Sequence, residues 1–339
     1  MMRALDRREL SVMLGLAGVA GVVWPRALFG GGQQVTFFDW RPINEGMRVA
    51  FGAGGNALVV REGGRSLLVD CKNAGFGGVL RAEAEAFGGP LARVINTHHH
   101  GDHIGGNPAF TGDIPVVGQA RGVARATEGG RSTLEGIRSD PAGRLERLER
   151  QVQNLEVSAG ARRAGSESVA GFVAGAAEME GSDFAATETF DDQLEVRLGT
   201  LAIELRHIDR GHTDNDLFVR IPAANVVHGG DLFFNGLHPF IDTGAGATTV
   251  GWQRCIAAMV EQCNADTVVI PGHGELSDVN GLRAFSGYFD TLRRVVQQAI
   301  RDGRTREQIT ELQPVEFRDW PAARLNQNLG IVYDELTAR

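Results

Sequence analysis

Apolar residues in the first third of the chain form short runs that glycine pairs separate. The runs rich in β-branched and aromatic residues predict strands at 35–40, 47–52, 57–61 and 66–70. A helix is predicted at 79–87, and it leads into an apolar strand at 91–96. Strands that alternate with helices in this way indicate an α/β fold in which helices pack on sheets.

The middle of the chain, residues 122–188, is dominated by Ala, Gly, Glu, Arg and Ser. Asp140 is a favourable N-cap and Pro141 a favourable first helical residue. Apolar residues then recur at three- and four-residue steps, at Leu145, Leu148, Val152 and Leu155. Such spacing predicts an amphipathic helix. We therefore interpret 122–188 as a helical insertion, either packed on the domain surface or acting as a lid at the mouth of an active site.

Strand signals return in the second half, at 194–196, 201–206, 216–221 and 225–228. A helix from about 252 to 263 precedes an apolar strand at 267–270, and helices are predicted at 282–301 and 305–312. The pattern predicts two β-rich halves, each of which is closed by helices.

The first 27 residues have the features of an export signal. Arg7 and Arg8 precede an apolar stretch at 11–24, which is too short to span a membrane comfortably. We predict a twin-arginine signal peptide over 1–27 and a mature domain over 28–339 that is periplasmic or secreted. An N-terminal helix or anchor that the mature protein retains is the alternative.

Composition narrows the classes of partner. The 339 residues include 34 Lys and Arg against 42 Asp and Glu, a net charge of −8. An acidic chain is a poor candidate for binding nucleic acid, because such binding depends on basic side chains that neutralise phosphates. We expect a small-molecule substrate and no stable membrane insertion after signal cleavage. The three cysteines, Cys71, Cys255 and Cys263, are too few for a disulfide framework and are expected as buried thiols.

The strongest chemical signal is the sequence His-His-His-Gly-Asp-His, which begins at His98. In extended chain His98 and His100 project from the same face, since side chains alternate. We predict that Gly101 permits a sharp turn, which brings Asp102 and His103 round to a second position. Imidazole and carboxylate suit zinc or another borderline divalent metal. A solvated loop that binds metal by accident is the alternative, and the regular spacing favours a metal site.

The second half contains further donors of the same kinds. His212 lies on a loop after a predicted strand, Asp231 follows the strand at 225–228, and His273 follows the strand at 267–270. Each lies beside glycine, where the backbone can approach a compact site. We therefore predict that these three residues join the donors near His98.

These segments resemble the metallo-β-lactamase superfamily over about residues 35–300. The motifs that carry the resemblance are 67–70, 97–107, 210–216, 229–233 and 270–274. The resemblance implies a four-layer α/β/β/α sandwich with two Zn²⁺ ions, or iron or manganese, at one edge. It implies His98, His100 and His212 as ligands of the first metal, Asp102, His103 and His273 as ligands of the second, and Asp231 as the bridge. Asp70 is similar to the carboxylate that orients ligands without binding metal.

Aspartate at position 231 distinguishes the chain from zinc β-lactamases that have cysteine there. With aspartate at this position, the chain resembles glyoxalase II, lactonases and related hydrolases instead. Two divalent ions about 3.5–4 Å apart can share a hydroxide that attacks an ester, thioester, lactone or lactam carbonyl. Asp102 is a candidate for passing the proton to the leaving group. The alternatives are a mononuclear iron oxidoreductase of the persulfide dioxygenase type, a phosphodiesterase with the same ligands, and a binding protein without activity.

The other histidines are given different roles. His99 and His207 are expected to pack or to form hydrogen bonds away from the metals, and His228 is a further candidate for supporting a ligand. Asn235 and His238 lie on the loop that follows Asp231. In the resembled fold that loop borders the site, so we predict that both side chains contact substrate.

Overall fold

Two β-sheets and the helices that cover them make up the part of the chain that the computed structural model describes, residues 36–318, 320–321 and 323–338. The strands are β1 (Asp39–Asn44), β2 (Met47–Phe51), β3 (Ala57–Glu62), β4 (Arg65–Val69), β5 (Leu91–Ile95), β6 (Val116–Gln119), β7 (Glu188–Phe190), β8 (Gln193–Leu198), β9 (Leu201–Arg206), β10 (Phe218–Ile221), β11 (Val226–Phe234) and β12 (Val268–His273). The signal peptide predicted for residues 1–27 lies outside the described residues.

The α-helices of this part of the chain cover the two outer faces. They are α1 (Gly77–Gly88), α2 (Gly101–Ile104), α3 (Gly122–Ser139), α4 (Pro141–Gln153), α5 (Ala159–Gly175), α6 (Thr249–Glu261), α7 (Val279–Arg301), α8 (Arg306–Thr310) and α9 (Leu325–Thr337). None of the helices described here is both long and apolar enough to cross a membrane.

Strand order divides the fold into two halves. The first sheet has the order β1-β2-β3-β4-β5-β6-β7, and the second has the order β12-β11-β10-β9-β8. Strands β1 to β4 are antiparallel and β4 to β7 are parallel. In the second sheet β8 to β11 are antiparallel, and β12 pairs in parallel with β11. Strand β5 of the first sheet leads to His98, and the parallel strands β11 and β12 of the second carry Asp231 and His273.

Side-chain alternation along β3 shows why the sheets stack face to face. Leu58 and Val60 point into the core between the sheets, where they meet Leu205 of β9. Val59 points the other way and packs in the cluster that contains Leu80 of α1. The strand is therefore buried on both faces, as its apolar sequence predicts. Helices α6, α7 and α9 cover the outer face of the second sheet in the same manner. The predicted four-layer α/β/β/α sandwich is confirmed.

Residues 122–188 form α3, α4 and α5 and then return to the first sheet as β7. The Asp140 side chain caps α4 by accepting a hydrogen bond from the Gly143 N–H at 3.0 Å. Helix α5 packs on α1, and the Ser168 hydroxyl accepts a hydrogen bond from the Val79 N–H at 3.1 Å. The helices of this segment thus lie over the outer layer of the first half.

Several strand predictions were wrong in their boundaries. The strand predicted at 267–270 continues to His273, so this ligand candidate lies within the strand and not after it. The first strand was predicted at 35–40 but starts at Asp39, because the N–H groups of Phe37 and Phe38 donate to the Glu83 carboxylate instead of to a neighbouring strand. The strand predicted at 225–228 continues to Phe234. Its pairing with β12 shifts register on both sides of Gly230, so the strand passes through an irregularity rather than ending there.

Candidate metal centre

Asp70 fixes the turn that follows β5. Its Oδ1 accepts a hydrogen bond from the Thr97 N–H at 2.8 Å, and its Oδ2 accepts one from the Thr97 hydroxyl at 2.8 Å. The same Oδ2 accepts a hydrogen bond from Nδ1–H of His103 at 2.7 Å. The Asp70 side chain is fully buried and its backbone is left-handed, with φ 65°. It therefore orients His103 so that Nε2 is free to bind a metal.

The role predicted for Gly101 was wrong. A Cβ atom at that position would meet no atom within 4 Å, and Gly101 does not have a positive φ. Other glycines are the ones that lie too close to a metal-ligand candidate to carry a side chain. A Cβ atom on Gly55 would collide with the His103 ring, and one on Gly272 would collide with Asp231. Glycine is needed where a neighbouring segment packs closely against a donor, and it is not needed at Gly101, in the turn after His100.

The first group of donors consists of His98, His100, His212 and Asp231, whose ligand atoms all lie within 4.8 Å of one another. Nε2 of His212 is 2.8 Å from Nδ1 of His100. Oδ2 of Asp231 is 3.4 Å from Nε2 of His212 and 3.8 Å from Nε2 of His98. His212 is oriented by its Nδ1–H, which donates to the Phe240 carbonyl at 2.6 Å.

The second group consists of Asp102, His103 and His273. Nε2 of His273 is 3.1 Å from Oδ2 of Asp102 and 3.4 Å from Nε2 of His103. Oδ1 of Asp231 lies 3.0 Å from Nε2 of His103 and 3.3 Å from Nε2 of His273. Asp231 therefore presents one carboxylate oxygen to each group, and the structure brings all seven predicted ligands together.

Asp231 does not follow its strand, as the sequence analysis predicted, but lies within β11. The irregularity before it is held by His228, whose Nδ1 accepts a hydrogen bond from the Gly230 N–H at 3.0 Å. Nε2 of His228 lies 3.3 Å from the Asn56 carbonyl. Burial lowers the pKa of His228 to about 4, so the ring is neutral and can accept this hydrogen bond.

A third set of nearby donors, His99, His100 and Asp242, is a hydrogen-bonded support rather than a metal site. The His100 ring has two nitrogens, and Nδ1 faces His212. The remaining Nε2–H donates to Oδ2 of Asp242 at 2.9 Å, which holds Nδ1 toward the first group. His99 lies 3.0 Å from the amide nitrogen of Asn215 and turns away from both groups.

Polar atoms without partners show that the first group suits a cation. Nε2 of His98 is buried and has no hydrogen-bond partner in the described part of the chain. Oδ1 of Asp231, which faces the second group, also has no hydrogen-bond partner there, although Nε2 of His103 lies 3.0 Å away. Burial lowers the pKa of His98 well below its usual value and that of His212 to about 3. Both rings thus keep a lone pair for a metal, and a cation would remove the cost of burying these atoms unpaired.

The second group also suits a cation, as the pKa values of its two imidazoles indicate. Burial lowers the pKa of His273, but the Asp231 charge and the contacts with Asp102 raise it to about 9. The pKa of His103 is also raised, because Asp231 and Asp102 outweigh the effect of burial. Protons on these imidazoles therefore neutralise the carboxylates when no cation is present. A divalent cation would displace those protons, so metal binding and proton release are coupled.

A sequence model of the metallo-beta-lactamase superfamily matches residues 51–273, which include all seven donors. The chain belongs to this superfamily. Crystal structures of the DIM-1 metallo-beta-lactamase and of a metallo-beta-lactamase from Pontibacter korlensis match with TM-scores of 0.54 and 0.53. The matches cover 76% and 75% of this chain and 99% of each of those chains, at 17% and 16% identity. They show the common fold.

The curated "Metallo-beta-lactamase type 2" of Bacillus cereus is 25% identical to this chain over 83 residues. The match spans 24% of this chain and about a third, 32%, of the length of that relative. The superfamily consists in general of metal-dependent hydrolases, which agrees with the donors described above.

Asn235 and His238, the predicted substrate contacts, have other partners. The Asn235 amide donates to the Glu275 carbonyl at 2.9 Å, and its N–H donates to the His273 carbonyl at 3.0 Å, so it braces the second donor group. His238 is buried, and its Nδ1 accepts a hydrogen bond from the Tyr288 hydroxyl at 2.9 Å. His207 lies away from the donors, with Nδ1 2.7 Å from the Asp216 carbonyl.

Two residues of the site were not predicted from the sequence: Asp242, which supports His100, and Arg324, whose guanidinium lies over the Phe240 ring. Neither residue stands at a motif spacing from a ligand. Only the position of Asp242 in the loop after Asp231 could have indicated a role at the site.

Proposed function

We propose that the chain is a dinuclear zinc hydrolase that cleaves an ester, thioester, lactone or lactam carbonyl. The observation that carries this proposal is the placement of Asp231, with one oxygen toward each donor group. A carboxylate in that position favours two cations side by side over a single one. Imidazole and carboxylate donors with no thiolate suit zinc, and iron and manganese also accept them.

The bound zinc pair would supply an activated water and polarise the substrate carbonyl. The side chains contribute position and charge. His98, His100 and His212 would hold the first ion, and Asp102, His103 and His273 would hold the second. Buried hydrogen bonds fix the rings of His103 and His212, and the half-buried Asp242 fixes that of His100. Such fixed orientation favours reaction, because the donors need not rearrange as the substrate binds.

Aspartate at position 231 supports a carboxyl ester, thioester or lactone as the substrate class, by its resemblance to glyoxalase II and lactonases. The Bacillus cereus relative is named a metallo-beta-lactamase, so a lactam stays within the proposal. The net charge of −8 supports a small-molecule substrate over a nucleic acid.

The test is metal analysis of natively purified protein, followed by a panel of β-lactam, lactone, thioester and phosphodiester substrates. We expect two zinc ions per chain and hydrolysis of at least one carbonyl substrate. Protein treated with a chelator is the control, and its activity should return when zinc is added. One iron ion with no zinc would contradict the proposal in favour of an iron oxidoreductase, and cleavage of the phosphodiester alone would contradict the carbonyl substrate.

Asp102 is proposed to move the proton of the attacking water to the leaving group. Its side chain is 28% exposed, whereas that of Asp231 is 4% exposed, so Asp102 is the carboxylate that substrate can approach. Burial raises the pKa of Asp102, but the charge of His103 and the hydrogen bond from His273 lower it below its usual range. The carboxylate is therefore ionised at neutral pH, as a proton acceptor must be.

Replacing Asp102 by asparagine is expected to lower turnover by about 10²- to 10⁴-fold, the usual contribution of a general acid or base. The amide keeps one oxygen for the metal but cannot carry the proton. Turnover should be compared at equal zinc content, measured for each preparation. Retained turnover with unchanged zinc would show that Asp102 serves as a ligand only.

The insertion is proposed to border the mouth of the site. Arg125 of α3 pairs with Asp214, two residues after His212, at 2.6 Å. A groove between this helix and the loop after β11 is lined by residues that include His99, Arg125 and Asp242. We also propose that the mature chain acts in the periplasm or outside the cell, as the sequence of residues 1–27 predicts.

A further inference from the structure

The chain enters α9 through Arg324, which brings a positive charge to the first donor group. Its backbone is left-handed, with φ 72°. Residues other than glycine seldom adopt that conformation, and it is concentrated at functional sites. The guanidinium carbon of Arg324 lies 5.0 Å from the centre of the Phe240 ring.

Phe240 also contacts the metal ligands. Its ring centre is 5.7 Å from that of His100 and 6.0 Å from that of His212. Its carbonyl accepts the hydrogen bond that orients His212. Arg324 and these two imidazoles therefore contact the same aromatic ring, and a substrate bound at the metals could reach the guanidinium.

The positive charge of Arg324 interacts with two carboxylates of the donor groups. Burial lowers the pKa of Arg324, while the charges of Asp231 and Asp102 act to raise it. These are the bridging carboxylate and the proposed proton carrier. Arg324 is thus within electrostatic range of the reacting centre.

The guanidinium of Arg324 is half-buried but has no ion pair and no hydrogen bond within the described residues. Arg125 of α3, by contrast, is paired with Asp214. The N–H donors of Arg324 are therefore available to a ligand. A planar guanidinium matches the two oxygens of a carboxylate, and a single cation matches a single negative charge.

We propose that Arg324 binds a carboxylate of the substrate, so that the metal centre acts on an anion whose carboxylate lies a few bonds from the scissile carbonyl. This inference rests on the proposed hydrolase function. It adds a substrate class, because it requires negative charge on the substrate in addition to a carbonyl. Bound divalent ions would strengthen the preference, since they offset the charges of Asp102 and Asp231.

The test uses two acetyl esters that differ in one charge, 4-acetoxybenzoate and methyl 4-acetoxybenzoate, with the zinc-loaded protein. Arg324→Gln should raise KM for 4-acetoxybenzoate about ten- to hundredfold, the usual effect of losing a charged hydrogen bond. It should leave kcat for that ester, and KM for the methyl ester, nearly unchanged. Arg324→Lys keeps the charge without the planar fork and should lie in between. Arg304→Gln, at an exposed arginine, is the matched control and should change nothing.

An equal loss on both esters, or no loss on either, would overturn the proposal. Thermal unfolding of each variant shows whether an equal loss comes from a damaged fold. If the wild type hydrolyses neither ester, calorimetric titration of zinc-loaded protein with 4-acetoxybenzoate still tests the role of Arg324. Tighter binding to the wild type than to Arg324→Gln would support the carboxylate site while ester hydrolysis fails. Equal or absent binding would overturn it.

Discussion

Asp231→Ala is expected to reduce the zinc content below two ions per chain and to lower turnover by at least about 10³-fold, since the metal pair supplies several kcal/mol of transition-state stabilisation. Its carboxylate is the one that faces both donor groups, with Oδ1 3.0 Å from His103 and Oδ2 3.4 Å from His212. Without it, the two groups have no common ligand. Zinc should be measured by elemental analysis after dialysis, and turnover on whichever substrate the panel identifies.

Asp231→Asn is the companion variant. The amide keeps the size of the side chain and one oxygen, but it removes the negative charge that raises the pKa of His273 and His103. We expect it to retain more zinc than the alanine variant and still to lose most of the activity. Two tightly bound zinc ions and unchanged turnover in Asp231→Ala would show that the groups bind their metals independently, and the bridged pair would have to be abandoned.

The parts of the site that the sequence predicts best are those within one short segment. His98 to His103 are neighbours in the chain, so strand alternation and one turn already bring their side chains near one another. Strand alternation likewise predicts which face of β3 points to the other sheet, as at Leu58 and Val59. His212 and His273 are distant in sequence, and their convergence with His98 was inferred from their positions after predicted strands and beside glycine, together with the resemblance to a superfamily.

What could not be predicted depends on packing between distant segments. The irregularity before Asp231 requires His228 to accept a hydrogen bond from Gly230, and no spacing rule indicates that contact. Helix α9 was not predicted, so the approach of Arg324 to Phe240 was not foreseen either. Side-chain roles that arise from such contacts become visible only when the fold is known.

His238 shows that a residue close to a ligand in the sequence can still point away from the site. Its place after Asp231 suggested substrate contact, but the loop turns its ring toward Tyr288, Phe317 and Trp320 of the C-terminal segment. An aromatic cluster buries the imidazole there, and burial lowers its pKa to about 4. The packing of the C-terminal segment decides which side chains of this loop can face the metals.

Asp70→Ala is expected to lower the free energy of unfolding by about 3–5 kcal/mol, the usual cost of removing one partner from a buried charged network. The substitution leaves the Thr97 N–H, the Thr97 hydroxyl and the His103 Nδ1–H buried without their acceptor. Alanine also lacks the polar side chain that makes a left-handed backbone tolerable for aspartate or asparagine. Urea unfolding of the metal-free protein measures this loss.

Asp70→Asn separates the contributions of Asp70 to the fold and to metal binding. It keeps an oxygen for Thr97 and tolerates φ 65°, but its amide group cannot accept the His103 proton if it faces that ring. We expect a smaller loss of stability than for Asp70→Ala, together with a 10- to 100-fold loss of zinc affinity, about the range found for residues that orient metal ligands. Zinc affinity equal to that of the wild type would mean that Asp70 supports the turn after β5 but does not orient His103. In that case the surrounding backbone, including the close approach of Gly55 to the His103 ring, would be sufficient to hold the ligand.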